Sequence, residues 1–381
     1  MAKNGFRVMD SDMHIMEPPD LWQRYIDQEF RSQAPAGRVT NWVKDLQVDF
    51  PSDTGPRGNG SGKFGRNHEL DQVRFADHAR RGWSPQVQLD AMDIEGVDTA
   101  VLYPSLGLSA LTDRDLDSKL AAAISRAYNQ WLFEFCQADR ERMFGAGMFS
   151  VYDINDAVQE TYRVVEDLGF VAVFVRSNVV NDKPWHDPYY EPLWSALETL
   201  NVPLGFHEAT GSRSHQAGEQ YSPSFSMRSA YSQPFTQMLG VGSFLLGGIL
   251  ERHPGLKVAF LEANCAWLPW LLWRLDETYE RFGDVIAVET ATELSMPPSE
   301  YFRRQCYASI EPDETPAIDM INKFGSDRLV FSTDYPHVDS RYPDAVEAFL
   351  GLPLSDDDKR KILWDNCADF YAGRMPVTDR A

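Results

Sequence analysis

Cysteine is scarce in this 381-residue chain, and Cys136, Cys265, Cys306 and Cys367 stand far apart with no CxxC spacing. Neither a disulfide framework nor a thiolate zinc site is therefore expected, and a reducing cytoplasm is the natural compartment. Basic residues are outnumbered, 36 Lys and Arg against 57 Asp and Glu, for a formal net charge of -21. With no local basic patch to offset that charge, a role on nucleic acid or on an anionic membrane surface is not expected. No apolar run at the N-terminus is long enough for a secretory signal, and the most apolar stretch, around Val241 to Leu250, is too short and glycine-rich to span a bilayer. Internal repeats, heptads and a glycine-rich turn behind the first apolar run are also missing, which counts against solenoids, coiled coils and a dinucleotide-binding doubly wound sheet.

What is present is the ordinary balance of a globular protein, 43% hydrophobic and 24% charged residues. Short β-branched or apolar runs occur at Phe6–Asp12, Thr99–Tyr103, Met143–Met148, Val171–Val175, Val202–Phe206, Lys257–Leu261, Gln305–Ser309 and Leu329–Ser332. Helical patterns separate most of them, at Asp115–Gln137, Ile154–Leu168, Glu191–Thr199, Trp267–Phe282 and Thr315–Phe324. Strands alternating with helices indicate parallel βα units, and eight of them indicate closure into a single (β/α)8 TIM barrel over the whole chain. Two segments break the rhythm, residues 28–83 and 210–235, each following the C-terminal end of a strand. Loops of that length are expected to serve as lid, substrate-binding or oligomer elements, and the glycine-rich piece 51–67 is expected to be mobile. Trp267, Trp270 and Trp273, with Leu271 and Leu272, read as the core face of the helix after the sixth strand.

The chemistry-bearing residues gather where strands end. The first strand runs into SDMHIMEPPD, and Asp12 and His14, two apart in extended backbone, point to one side. Taken alone, a DxH is more often a turn cap and a polar loop residue than a ligand pair. Strand five, however, ends in PLGFHEATG with His207, strand six in VAFLEANCAW with Glu262, and strand eight in LVFSTDYPH with Asp334 and then His337. A barrel brings the C-terminal ends of all its strands to one face, so these acids and histidines converge on one rim, the donor set of a metal centre. Glu17 is a further candidate ligand or a turn residue before Pro18, and His337 a ligand or a group that hydrogen-bonds one. Arg176, after strand four, is a candidate anchor for a substrate carboxylate or phosphate, or else one half of an internal salt bridge. His186 reads as part of a cap before a helix, while His68, His78, His215 and His253 have no evident partner.

Over nearly its whole length, from DSDMHIMEP to DNCADFY, the sequence resembles the amidohydrolase-related metal-dependent enzymes, the branch that includes aminocarboxymuconate semialdehyde decarboxylase. The resemblance is carried by the DxH, by QLDAMDIEGVDTAVLYPS (88–105), DPYYEPLWSALETLNVPLGFH (187–207), LEANCAWLPWLLWRLDE (261–277), FSTDYPHVDS (331–340) and DNCADFY (365–371). It implies Asp12, His14, His207 and Asp334 as metal ligands, with Asp12 where many relatives have histidine or glutamate. In two places the chain departs from the family. The decarboxylase relatives place an acid–base histidine near the end of strand six, where this chain has Glu262. Hydrolytic cousins with two metals carry a lysine after strand four, where this chain has Arg176.

The expectation drawn from these residues is a hydrolase of a small-molecule substrate, an anionic one where Arg176 serves as its anchor. A divalent Zn, Mn or Fe ion, one or two per chain, would activate water for attack on an amide, ester, lactone or thioester carbonyl, with Asp334 or Glu262 as proton shuttle and Glu262, His337 and Glu17 as extra ligands for a second ion. The alternative is metal-dependent, non-oxidative decarboxylation of an aromatic or enolic carboxylic acid, and behind it a non-catalytic metal-binding barrel. A homo-oligomer is plausible, with residues 28–83 as the candidate contact.

Overall fold

In the computed structural model the described residues are 3–39, 46–51, 73–112, 115–207, 217–218, 225–337 and 340–375. Their strands are β1 (Met9–Ile15), β2 (Ala36–Val39), β3 (Leu46–Asp49), β4 (Thr99–Pro104), β5 (Met143–Met148), β6 (Ala172–Arg176), β7 (Leu204–His207), β8 (Val258–Leu261), β9 (Cys306–Ile310) and β10 (Leu329–Phe331). Eight of them form one parallel sheet in the order β1-β4-β5-β6-β7-β8-β9-β10, a nearly closed barrel with helices between the strands. Every residue of β4, β6, β7, β8, β9 and β10 is buried. Side chains alternate between the barrel interior and the helical layer, and neither face meets water, which is why these strands read as continuous apolar runs.

Among the described residues the helices of eight residues or more are α1 (Pro85–Glu95), α2 (Ser118–Cys136), α3 (Ile154–Tyr162), α4 (Glu191–Leu200), α5 (Phe225–Leu245), α6 (Leu268–Thr290), α7 (Pro298–Gln305) and α8 (Ala317–Phe324). Their ends carry the expected chemistry. Pro85 opens α1 and Gly96 closes it at φ +84°, a backbone state that costs glycine little. Asp117 caps α2 by accepting from the amides of Lys119 and Leu120 at 3.1 and 2.9 Å.

All eight expected strands are present in the expected order. The expectation differs from the structure in two segments. Residues 225–235, read as loop, begin the 21-residue helix α5, because Ser, Gln and an internal Pro234 obscured a periodicity that packing enforces. Residues 36–39 and 46–49 pair as the antiparallel ribbon β2–β3 inside the first insertion. The glycine-rich piece lies outside the described residues beyond Pro51, as do 210–216 and 219–224 of the second insertion. Leu271 and Leu272 are buried as expected, but Trp270 and Trp273 are not: each is 58% exposed.

The barrel closes at the seam between β1 and β10 through specific polar ties. The His14 amide donates to the Tyr335 carbonyl at 2.7 Å, the Ser332 hydroxyl to the Asp12 carbonyl at 3.3 Å, and the Thr333 amide and hydroxyl to the Asp10 carboxylate. Against β4, the register of β1 slips by one residue between Asp10 and Met13. A bulge of this kind re-aims the side chains around it, and the residues here are Ser11 and Asp12.

Candidate metal centre

At the C-terminal rim, Asp12 and His14 (β1), His207 (β7) and Glu262 (directly after β8) bring ligand atoms within 4.8 Å of one another, and His14, Glu262, Asp334 and His337 form a second, overlapping set. His14 Nε2 stands 3.6 Å from Asp12 Oδ1, 3.6 Å from Glu262 Oε2 and 3.5 Å from Asp334 Oδ1. His207 Nε2 lies 3.5 Å from Asp12 Oδ1 and 3.1 Å from Glu262 Oε2. Donor atoms about 2.1 Å from a shared ion lie about 3.0–3.4 Å apart in octahedral or tetrahedral geometry, so these separations suit an ion at their centre.

Two further features fit a cation. His14 and Asp12 are fully buried, and among the described residues Asp12 Oδ1 and Oδ2, His14 Nε2 and Glu262 Oε2 have no hydrogen-bond partner. Buried charge in that state is costly unless something binds it. His14 Nδ1 faces the Pro104 carbonyl at 2.7 Å, which fixes the proton on Nδ1 and leaves the Nε2 lone pair pointing inward, the usual arrangement of a ligating histidine. Asp12, His14, His207 and Glu262, with Asp334 and His337 in the overlapping set, therefore offer donors suited to a hard or borderline divalent ion.

The electrostatics of the protein alone agree. Burial pulls His207 down, but the carboxylates of Asp12 and Glu262 overcome it and hold the imidazole well above its usual range. Burial acts against ionised Glu262, yet His207 and His14 hold its carboxyl well below its usual range. The pocket is built for positive charge.

Around this set stands a layer of supports. His337 Nδ1 meets Asp334 Oδ1 at 2.6 Å and its Nε2 meets Ser105 Oγ at 3.1 Å. Burial and the neighbouring His14 keep His337 well below the usual histidine range, so it is neutral, donating from Nδ1 and accepting at Nε2. Asp10, two residues before Asp12, accepts from the Asp12 amide at 3.1 Å as well as from Thr333, and burial pushes its carboxyl up to about 7. Glu262 leaves β8 at φ +54°; its amide donates to Ser309 Oγ at 2.9 Å and its Oε1 accepts from Gln233 at 3.4 Å. Glu314 holds the loop behind it by accepting from the Cys265 and Ala266 amides at 2.8 and 2.9 Å.

The structure thus brings together Asp12, His14, His207, Glu262, Asp334 and His337. Glu17 is not in either set: its carboxylate accepts from the amides of Ser105, Leu106 and Gly107 at 3.1, 2.9 and 2.8 Å. Burial raises its pKa despite those bonds. A Cβ at Gly107 would lie 3.0 Å from Glu17 Oε1 and 2.7 Å from Pro104 Cβ, so the approach requires glycine. Arg176 is nearly buried and donates to the Leu108 carbonyl, lining a cavity of about 30 Å³ behind the same loop. His186 does not join the centre; its Nδ1 meets Ser243 Oγ at 2.7 Å. The sequence reading missed Asp10, Ser105, Gln233 and Thr333. Asp10 and Thr333 were findable as polar neighbours of the ligands in DSDMH and FSTDYPH. Gln233 sits in a segment read as loop, and Ser105 gains its role only through the fold.

A family model described as amidohydrolase matches residues 9–373. The 2-amino-3-carboxymuconate-6-semialdehyde decarboxylase of Dictyostelium discoideum is 22% identical over 306 residues, 79% of this chain and 80% of that protein. The gamma-resorcylate decarboxylase of Rhodococcus jostii is 26% identical over 298 residues, 75% of this chain and 86% of that protein. Among solved structures, an amidohydrolase from Mycobacterium avium subsp. paratuberculosis superposes with a TM-score of 0.76 at 21% identity, covering 97% of this chain and 100% of the other. A 5-carboxyvanillate decarboxylase from Novosphingobium aromaticivorans, complexed with manganese and 4-hydroxy-3-methoxy-5-nitrobenzoic acid, does so with a TM-score of 0.69 at 19% identity, covering 97% of each.

Proposed function

Because the chain belongs to the amidohydrolase family, we propose that it is a metal-dependent, non-oxidative decarboxylase of an aromatic or enolic carboxylic acid. The hydrolytic expectation is corrected: the relatives matched over about three quarters of the chain are decarboxylases, of gamma-resorcylate and of an aminocarboxymuconate semialdehyde. That alignment is the observation that carries the reading. Decarboxylation itself requires no metal-activated water.

In this reading Asp12, His14, His207 and Asp334 hold one divalent ion, and manganese is favoured because a solved neighbour of the same fold contains it. When bound, the ion supplies Lewis acidity toward substrate oxygens. The chain's own residues do the rest. Glu262, 12% exposed on its side chain and ionised in the free site, first takes the proton of the substrate's ortho-hydroxyl or enol and then delivers it from Oε2 to the substrate carbon as the bond to the carboxylate breaks, so that the bonding pair stays on carbon and carbon dioxide leaves. A proton from water then restores the hydroxyl of the product. Neutral His337 holds Asp334 in place through Nδ1 and is itself held by Ser105. Glu17 fixes the loop that carries Ser105.

The test is to load the protein with manganese, offer 2,6-dihydroxybenzoate, 5-carboxyvanillate and related ortho-hydroxy acids, and follow carbon dioxide release in deuterium oxide. One deuterium at the vacated carbon per carbon dioxide is expected. Ester or lactone cleavage without carbon dioxide release from any acid in such a panel would overturn the reading.

A further inference from the structure

The rim of the barrel has two halves. The ends of β1, β7, β8 and β10 supply the metal centre, while the ends of β4, β5 and β6 and the loops leaving them enclose the cavity of about 30 Å³. Leu108 and Leu111 come from the first of these loops, Met148 from β5, Phe174 from β6 and Val180 from the segment beyond it. All five are apolar, and among the described residues Arg176 is the one charged group on the wall. Neighbours in register on parallel strands face the same way. Arg176 lies opposite His207 and Phe174 opposite Gly205, so Arg176 aims inward one strand away from the metal centre. It is 8% exposed and tied to the Leu108 carbonyl. Glu17 pins the same loop through the Gly107 amide at 2.8 Å. A Cβ at Gly107 would come within 2.9 Å of Met148 Cε, so glycine is what lets the loop close over Met148.

Size and chemistry narrow what this cavity can hold. One water needs about 10–15 Å³ of such space, so a cavity of about 30 Å³ admits a triatomic molecule and no aromatic ring. Water is small enough, but against leucine, methionine, phenylalanine and valine side chains it would forfeit hydrogen bonds. Of the species in the decarboxylation argued above, carbon dioxide alone is linear, small and without a net dipole, and the partial negative charge on its oxygens suits a guanidinium on the wall. We propose that the cavity is a carbon dioxide site, which takes up the product as it leaves the substrate carbon and supplies it in the reverse, carboxylating direction. The proposal rests on the decarboxylase reading and adds the place where its gaseous product is held. Carbon dioxide drawn to the β4–β6 half of the rim, away from Glu262, leaves the reacting carbon open to the proton that Glu262 delivers.

The experiment is infrared spectroscopy of the full, manganese-loaded chain in solution saturated with carbon-13-labelled carbon dioxide. A narrow stretching band, distinct from that of the dissolved gas, is expected. Leu111→Phe and Val180→Phe each add a ring to the wall, and whichever of them keeps native circular dichroism and manganese content should lose the band. The second reading is the carboxylation of resorcinol, where the same variants should raise the KM for carbon dioxide several-fold and leave the KM for resorcinol unchanged. A change in general stability or in the metal site would not split the two constants in that way. No narrow band, a band that the folded variants keep, or a KM for carbon dioxide that they do not alter would each overturn the proposal. A band that the variants lose, in a protein that neither adds a carboxyl group to a phenol nor removes one from any acid offered, would sink the decarboxylase reading and leave the cavity a carbon dioxide site.

Discussion

Glu262 and Asp334 leave their strands in the same backbone state, φ +54° and +55°, and from there each brings a carboxylate oxygen to His14 Nε2, at 3.6 and 3.5 Å. A left-handed conformation costs a non-glycine residue on the order of 1–2 kcal/mol, and it persists only where the surroundings enforce it. Here they do. Ser309 holds the Glu262 amide, and the Asp10 carboxylate holds Thr333, the residue before Asp334. Strand ends that turn this sharply aim carboxylates at the barrel axis instead of into the wall.

If Glu262 is the proton donor, Glu262→Gln keeps its shape and removes its acidity. The expected outcome is a loss of about 10²–10⁴-fold in kcat for decarboxylation, with manganese content retained on elemental analysis. Glu262→His, which installs another proton donor, should recover part of that loss. Unchanged turnover in Glu262→Gln would assign the proton to another group.

How much of this was legible from sequence depended on distance along the chain. The eight strands and the rim residues Asp12, His14, His207, Glu262 and Asp334 could be read because each is a polar break in an apolar run, a local signal. Closure then places them together without further information. The role of Glu17 was not legible, because nothing near it announces that residues 105–107 fold back onto its carboxylate. Arg176 was readable as a cation at a strand end, but its bond to the Leu108 carbonyl depends on that same loop. The direction in which Trp270 and Trp273 face was misread: helical spacing groups residues on a face without saying whether the face looks at the core or away from it.

Asp10 touches no substrate in the proposed reaction, but it ties the Asp12 amide to the segment bearing Asp334. Asp10→Ala should therefore weaken manganese binding by about 10–100-fold, the usual effect of removing a group that supports a ligand. Isothermal titration of the apoprotein reads this directly. Asp10→Asn, which keeps the shape but can accept at only one oxygen, should fall between the variant and the natural chain. Equal manganese affinity in all three proteins would confine Asp10 to closing the seam.

Metal removal should destabilise the fold. Asp12, Glu262 and Asp334 crowd around His14 and His207, and an ion that binds only the folded chain adds about 2.7 kcal/mol at a hundredfold excess over its Kd. Calorimetry with a chelator and then with added manganese should show a lower and then a restored Tm. His207→Ala should abolish the manganese-dependent rise. A Tm indifferent to chelator would argue against a resident ion.

Glu95, far from the rim, offers a pH test independent of the metal. Its buried carboxylate accepts from the amides of Ala345 and Val346, each at 3.2 Å, and burial raises its pKa above the ordinary 4.5 in spite of those bonds and of Lys3. A folded-state pKa above the unfolded one means that the protonated form is favoured by folding. The associated stability is full below about 4.5 and is lost as pH rises through the folded value. Glu95→Gln cannot ionise, so it escapes that loss. Urea titrations of both proteins at mildly acidic and at mildly alkaline pH should find the variant's stability relative to the natural chain improving toward the alkaline end. A difference that stays constant across that window would mean that the Glu95 carboxyl titrates alike in the folded and unfolded chains, and that its two amide bonds fully offset its burial.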